Sequence, residues 1–188
     1  MLDKYSYIPN SFKTYDSRTQ PPFLSSMVLI YYELNKDLTW LKKAYEYIKK
    51  EYFQVWMKEP RLTENGLSRY VDNSDKHNEF DLSYGAMQEC GWDNTLRFGG
   101  YIDKNNKNYV TNSKVNVTCP IDLNCLLYKY EKDLMYIAKE LNLIEEEENW
   151  NNALEKRKNL VNLYLWSEEK GFFFDYDIYK YHYLFFYI

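Results

Sequence analysis

The sequence has 188 residues and a formal net charge of −4, with 45% hydrophobic and 28% charged residues. This composition is typical of a globular chain. Lys and Arg form no stripe, which argues against nucleic-acid binding, and no apolar run approaches the roughly 18 residues of a membrane-spanning helix.

The cysteines and the N-terminus indicate a reducing compartment. Three cysteines, Cys90, Cys119 and Cys125, show no Cys-x-x-Cys spacing, which predicts free thiols. His77 and His182 are the only histidines, so a metal site is not expected. The polar N-terminus lacks an apolar signal segment, which favours a cytoplasmic protein.

Residues 21–58 show the spacing of two helices joined by a turn at residues 35–37. Apolar residues three and four apart predict the core-facing stripe of the first helix. That stripe consists of Phe23, Met27, Ile30, Tyr31 and Leu34. The stripe of the second helix consists of Leu38, Leu41, Ala44, Tyr45, Ile48, Tyr52, Val55 and Trp56. The two helices are expected to pack antiparallel.

Residues 59–120 have no helical periodicity, because glycines, Pro60 and many Asn and Asp residues interrupt it. Only residues 81–89 could hold a short helix, and residues 105–112 are predicted to form a solvated loop tip. A loop region this long is uncommon in a compact chain unless it is functional.

The helical pattern then repeats. Residues 119–122 lead into a helix whose apolar face runs from Leu123 to Leu141. Four glutamates, Glu145 to Glu148, suit the first turn of the next helix, where the helix dipole favours negative charge. That helix continues to Leu165. Two such pairs predict an all-α architecture of repeated helical hairpins.

Glu89 to Asp93 is the stretch most suggestive of chemistry. Gly91 allows the backbone to bend. Trp92 could supply an apolar wall that raises the pKa of Asp93, as a general acid requires. The alternative is a buried, hydrogen-bonded Trp-Asp pair with a purely structural role.

Several stretches, in this order, resemble the motifs of the trehalase family (glycoside hydrolase family 37). Ile8-Pro9-Asn10 and residues 17–23 resemble its Ile-Pro-Asn and Arg-Ser-Gln-Pro-Pro motifs. Residues 66–70 resemble its Leu-Asn-Arg-Tyr segment, and residues 89–93 resemble its Glu-Ser-Gly-Trp-Asp. Residues 120–128 resemble Pro-Val-Asp-Leu-Asn with the helix that follows, and residues 166–177 resemble the segment after the family's long helix.

The resemblance implies a partial (α/α)6 toroid, built of helical hairpins with long active-site loops. Residues 1–188 would be part of a single domain of which both ends are missing. The implied activity is cofactor-independent, inverting hydrolysis of α,α-trehalose to two glucose molecules. The family's base lies in a later segment, so this chain would carry the general acid without the base. The alternative is a catalytically incomplete fragment that acts only as a sugar-binding or interaction module.

The resemblance also assigns individual residues. Asp93 falls on the general acid. The substrate-binding positions are Asn10, Arg18, Thr19, Gln20, Glu79 and Gly91, although the arginine that the family places before the acid at Glu79 is absent here.

Some of these residues also have structural interpretations. Arg18 could form a surface ion pair with Asp16. Asp122 and Asn124 are predicted to cap a helix, and Asp175 and Asp177 to be solvated turn residues. Arg61, Arg69 and Arg97 could each form an ordinary salt bridge or line an anionic or sugar-binding cleft. Another toroid enzyme, such as an inverting α-glucosidase, is a third possible function, and the oligomeric state stays open.

Overall fold

The computed structural model describes residues 2–11, 18–72, 82–105, 109–180 and 182–183. Its α-helices are α1 (Leu2–Tyr5), α2 (Leu24–Asn35), α3 (Leu38–Glu51), α4 (Leu82–Cys90), α5 (Ile121–Glu140) and α6 (Ile144–Leu165). A π-helical turn, Tyr52–Trp56, extends α3, and a 3-10 turn, Val115–Val117, precedes α5.

The strands are short and all pair antiparallel. They are β1 (Tyr101–Asp103), β2 (Tyr109–Thr111), β3 (Thr118–Cys119), β4 (Trp166–Ser167), β5 (Phe172–Phe173), β6 (Tyr176–Asp177) and β7 (His182–Tyr183). β1 pairs with β2, β4 pairs with β5, and β6 lies between β3 and β7. The β3–β6 pair ties the segment after α6 to the entrance of α5, with Thr118 opposite Asp177.

The first hairpin consists of α2 and α3, and its turn is where the sequence predicts it. Lys36 adopts the left-handed conformation that ends α2, with φ of 53°. Asp37 caps α3 by accepting a hydrogen bond from the Trp40 amide at 3.0 Å.

The predicted core-facing stripe of α2 is wrong. Phe23, Met27, Ile30, Tyr31 and Leu34 are exposed, and Leu34 is 81% exposed. The buried residues are Leu24, Ser25, Val28 and Tyr32. Apolar residues lie on both faces of α2, so their spacing alone does not show which face is buried. Polar contacts with α5 fix the buried face: the Ser25 hydroxyl donates to Asp133 at 2.8 Å, and the Tyr32 hydroxyl donates to Glu140 at 2.8 Å.

The second hairpin consists of α5 and α6, and α5 is the central helix of the main core. The predicted apolar face of α5 is confirmed, because Leu123, Leu127, Tyr130, Leu134, Ile137 and Ala138 are all buried. Tyr130, Leu134, Ile137 and Ala138 pack against α2 and α3, while Trp150 closes the cluster from α6. The predicted acidic first turn of α6 is also confirmed.

The long loop region is packed rather than loose. Val55, Trp56, Tyr70, Met87, Phe98 and Leu123 share a second core cluster. The predicted short helix is present as α4. This cluster fixes α4 beside the first turn of α5, which is where the candidate site lies.

Candidate functional site

The candidate acid lies on a turn directly after α4. Gly91 has a φ of +73°, a left-handed conformation that suits glycine, and it lets the chain leave the helix. Trp92 is 49% exposed, and Asp93 is exposed beside it. This differs from the prediction of an acid held against an apolar wall.

The Trp92 side chain is held by two other contacts. Its indole N–H donates to Asp122 at 3.0 Å, and its ring lies 4.8 Å from the Arg97 guanidinium. Arg97 donates twice to Asp175, at 2.8 and 3.0 Å, and once to Asp122 at 2.9 Å. Stacking and paired hydrogen bonds of this kind use the planar fork of arginine. The turn that carries Asp93 is therefore fixed to the start of α5.

Two N-terminal segments are joined beside this turn. The Asn10 amide N–H donates to the Arg18 carbonyl at 2.8 Å, and the Gln20 side chain donates to the Asn10 carbonyl at 3.3 Å. The Asn10 side chain donates to the Gln88 carbonyl in α4 at 3.0 Å. Asn10 and Gln20 are both half-buried, so part of each residue is accessible to solvent.

Arg18 and Thr19 lie deeper. Arg18 is 5% exposed and donates to Asp72 at 3.1 Å, so the surface interpretation of Arg18 is wrong. The Thr19 hydroxyl donates to the Ile8 carbonyl at 3.0 Å. Asn10 and the Thr19 backbone thus lie against the C-terminal end of α4, which Gly91 and Asp93 follow. The Arg18 side chain lies further back along the helix, because its partner Asp72 packs against Gly85. Glu79 lies outside the described residues.

Sequence reasoning did not assign a role to Glu89, which is fully buried. One carboxylate oxygen accepts from the Thr19 amide at 3.0 Å, and the other accepts from the Val71 amide at 2.8 Å. Arg61 donates to both oxygens. The signal in the sequence that could have pointed to Glu89 is an acidic residue at the end of a mostly apolar helix, two residues before Gly91.

The structural interpretations of the other charged residues have mixed outcomes. Arg61 and Arg97 form salt bridges, as one alternative holds. Arg69 instead donates to the carbonyls of Pro60 and Asn116.

The capping prediction for Asp122 and Asn124 is wrong, because Pro120 occupies the N-cap without a side-chain hydrogen bond. Asn124 is fully buried and bonds both backbone groups of Ser68 at 2.9 Å. Asp175 and Asp177 are buried rather than solvated, because Asp175 pairs with Arg97 and accepts from the Ile121 amide.

The cysteines are free, as predicted. Burial raises the pKa of Cys90 to about 12 and that of Cys119 to about 11, so both thiols stay protonated near neutral pH. In the described part of the chain, no group of His, Cys, Asp and Glu side chains could hold a metal ion. None of the helices in that part has the length and hydropathy to span a bilayer.

The region around the end of α4 holds several groups that can form hydrogen bonds or apolar contacts with a ligand. An exposed carboxylate can exchange a proton with a bound group. Two amide side chains can each donate and accept hydrogen bonds to hydroxyls. The Trp92 ring, which is 49% exposed, offers an apolar surface next in the chain to Asp93.

Comparisons with known proteins agree on one family. The family model described as Trehalase matches residues 1–84 and 66–184. A probable trehalase from Saccharomyces cerevisiae is 31% identical over 94% of this chain and 28% of its own length. A cytosolic neutral trehalase from Emericella nidulans is 30% identical over 95% of this chain and 31% of its own length. A trehalase from Apis mellifera is 27% identical over 95% of this chain and 33% of its own length.

A solved structure also matches. Neutral trehalase Nth1 from Saccharomyces cerevisiae superposes with a TM-score of 0.79 at 27% identity, covering 97% of this chain and 42% of that one. The predicted fold class is therefore confirmed: the hairpins are part of an (α/α)6 toroid. The chain spans about 30% of the length of the curated relatives. It belongs to the trehalase family.

Proposed function

We propose that this chain carries the general-acid half of an α,α-trehalase site, in a protein that hydrolyses trehalose to two glucose molecules. The observation that carries this proposal is the position of Asp93. Its exposed carboxylate lies on a fixed turn after α4, and Asn10 and Gln20 lie near the end of the same helix. Membership of the trehalase family and the relatives' names support trehalose as the substrate.

In the proposed mechanism, protonated Asp93 donates its proton to the glycosidic oxygen as the bond to the anomeric carbon breaks. A second carboxylate, about 6.5–9.5 Å away, activates water on the opposite face of the sugar, which inverts the anomeric configuration. We place that base outside these 188 residues. Asn10 and Gln20 would orient the sugar through its hydroxyl groups, as amide side chains that both donate and accept.

The partial coverage of the relatives favours a second function for this chain taken alone, that of a sugar-binding module. The chain spans only about 30% of its relatives, and a binding module without the base would retain trehalose without cleaving it. The cytosolic relatives support a cytoplasmic location for either form.

Glucose release from trehalose distinguishes these functions. It would be measured with the chain alone, and with the chain replacing the matching part of the Saccharomyces cerevisiae cytosolic neutral trehalase, which supplies the remainder of the toroid. We expect no release from the chain alone and turnover from the joined protein.

Asp93→Asn should lower that turnover by at least about a thousandfold and leave trehalose binding intact, because general-acid catalysis is worth factors of this order. The control is Glu168→Gln, which removes an exposed carboxylate after β4. Turnover that survives Asp93→Asn would refute the assignment of the acid.

A further inference from the structure

A cavity of about 640 Å³ opens between the end of α3, the π-helical turn and α6. Its lining includes Tyr52, Phe53, Met57, Ala153 and Leu160, and it includes neither Asp93 nor the residues assigned to substrate binding. This volume lies within the range of small-molecule sites, which are mostly apolar with a few placed polar groups.

The lining also includes polar and charged side chains, namely Lys49, Glu131, Glu145, Glu146, Asn149, Lys156 and Arg157. Among these, Glu131, on α5, has a carboxylate oxygen without a hydrogen-bond partner in the described part of the chain. It lines the cavity, and it is 1% exposed. One of its carboxylate oxygens, Oε1, accepts from the Arg157 side chain at 2.6 Å and from the Tyr52 hydroxyl at 2.6 Å. Its other oxygen, Oε2, is buried and accepts no hydrogen bond from the residues that the structure describes. A buried acceptor in this condition is unfavourable until a donor reaches it.

Arg157 does not donate to Oε2, because its N–H groups contact other partners. Its guanidinium donates to Asn124 at 3.1 Å and approaches the Met57 sulfur at 3.0 Å. Since the positive charge of Arg157 balances the buried carboxylate, the base of the cavity favours a neutral donor over a cation.

Three aromatic side chains, Tyr52, Phe53 and Trp150, form part of the cavity wall. Phe53 is 54% exposed, and its ring lies 5.6 Å from that of Trp150. Tyr52 meets Trp150 edge-on at 5.1 Å. Tilted and edge-on arrangements leave ring faces and edges to which a further planar ring can add. At the rim, Lys49 pairs with Glu146 at 2.9 Å, so the entrance carries little net charge from this pair.

We propose that this cavity binds a small, uncharged aromatic molecule with one hydroxyl or N–H donor, which Glu131 Oε2 accepts. The aromatic body packs against Phe53 and Trp150. This binding site is separate from the trehalose site, and it does not depend on the function proposed for Asp93.

Two probes of matched shape test the role of the donor: p-fluorophenol, which has a hydroxyl donor, and p-fluoroanisole, its methyl ether, which has none. Each would be titrated into the 188-residue chain and followed by fluorine NMR at about pH 8. We expect p-fluorophenol to bind at least about tenfold more tightly, because the ether leaves the buried oxygen unpaired. Equal dissociation constants, or no binding of the phenol at millimolar concentration, would overturn the proposal.

Ala153→Phe tests the location, because it fills the cavity and leaves the Glu131–Arg157 pair in place. It should weaken p-fluorophenol binding at least about tenfold. The control is Asn152→Phe, which adds the same side chain at an exposed neighbouring position. Unchanged binding to Ala153→Phe would place the probe elsewhere. If sedimentation shows a dimer that the phenol does not dissociate and that blocks its binding, a second copy covers the cavity and the proposal fails.

Discussion

Glu89 connects four parts of the chain through one buried carboxylate. It receives backbone N–H groups from the segments of Thr19 and Val71 and two side-chain groups from Arg61. Two residues further on, Gly91 begins the turn that carries Asp93. The position of the candidate acid relative to Arg18 and Gln20 therefore depends on a residue that cannot itself contact a ligand at the surface.

Glu89→Gln should lower the free energy of unfolding by about 3 kcal/mol, because it keeps the shape and leaves the buried Arg61 charge without its partner. The measurement is urea denaturation. Glu64→Gln, which removes an exposed carboxylate from a nearby loop, is the control and should change stability by less than about 0.5 kcal/mol. A loss below about 1 kcal/mol for Glu89→Gln would contradict this account of the pair.

At the scale of elements, α4 contains Gly85, and the turn after it contains Gly91; they are glycines for different reasons. At Gly85 a Cβ atom would lie 2.0 Å from the Asp72 carboxylate, which accepts a hydrogen bond from Arg18. At Gly91 the nearest atom to such a Cβ would be Pro21 Cγ, at 3.8 Å, and only the positive φ opposes a side chain. The first glycine allows close packing, and the second allows a turn.

Gly85→Ala should therefore destabilise the fold more than Gly91→Ala does, although alanine is the better helix former by about 1 kcal/mol. Gly91→Ala should cost about 1–2 kcal/mol through its backbone conformation alone. Thermal unfolding of the two variants, each compared with the unmodified chain, gives the order. A smaller loss for Gly85→Ala would mean that Asp72 moves aside freely.

Glu51, the last residue of α3, makes stability depend on pH. It accepts from the Tyr130 hydroxyl at 2.8 Å and from the Ile8 amide at 3.4 Å. Burial raises its pKa to about 7 from its ordinary value of 4.5. The folded state therefore favours the protonated form of Glu51. The contribution of this group to the free energy of unfolding is fully present below about pH 4.5 and is lost as the pH rises through about 7.

Relative to Glu51→Gln, the unmodified chain should lose about 3 kcal/mol of stability across that pH window. Urea denaturation of both proteins at several pH values measures the difference. Glu46→Gln, on the exposed face of the same helix, should follow the unmodified chain. Parallel curves for Glu51→Gln and the unmodified chain would show that Glu51 titrates normally.

The helices differ in how well their sequence predicts their packing. The buried face of α5 is predictable because its apolar residues lie on one side. The face of α2 is not, because both sides are apolar and the choice depends on Asp133 and Glu140, about a hundred residues away.

The site shows the same limit. The motifs select Asp93 and its neighbours as candidates, but the contacts of Glu89, Asp122 and Asp175 depend on partners that are distant in sequence. A buried pair of charges leaves no periodic signal, so only the structure reveals it.

At the scale of the whole molecule, the chain is shorter than its relatives even within the region that matches. Its alignment with the probable trehalase spans 235 positions but includes 94% of this chain, about 177 residues, so roughly 58 positions have no counterpart here. The family model matches in two segments that overlap at residues 66–84. The hairpins on either side nevertheless keep the family's fold, with a TM-score of 0.79.

Binding of trehalose to the 188-residue chain tests the central claim most directly, and isothermal titration calorimetry with maltose as the matched disaccharide would measure it. We expect trehalose to bind at least about tenfold more tightly than maltose, because placed hydrogen-bond partners discriminate between hydroxyl arrangements. Gln20→Ala should weaken trehalose binding by about the same factor. No binding of trehalose, or equal binding of both sugars, would contradict the proposal that these residues form half of a trehalose site.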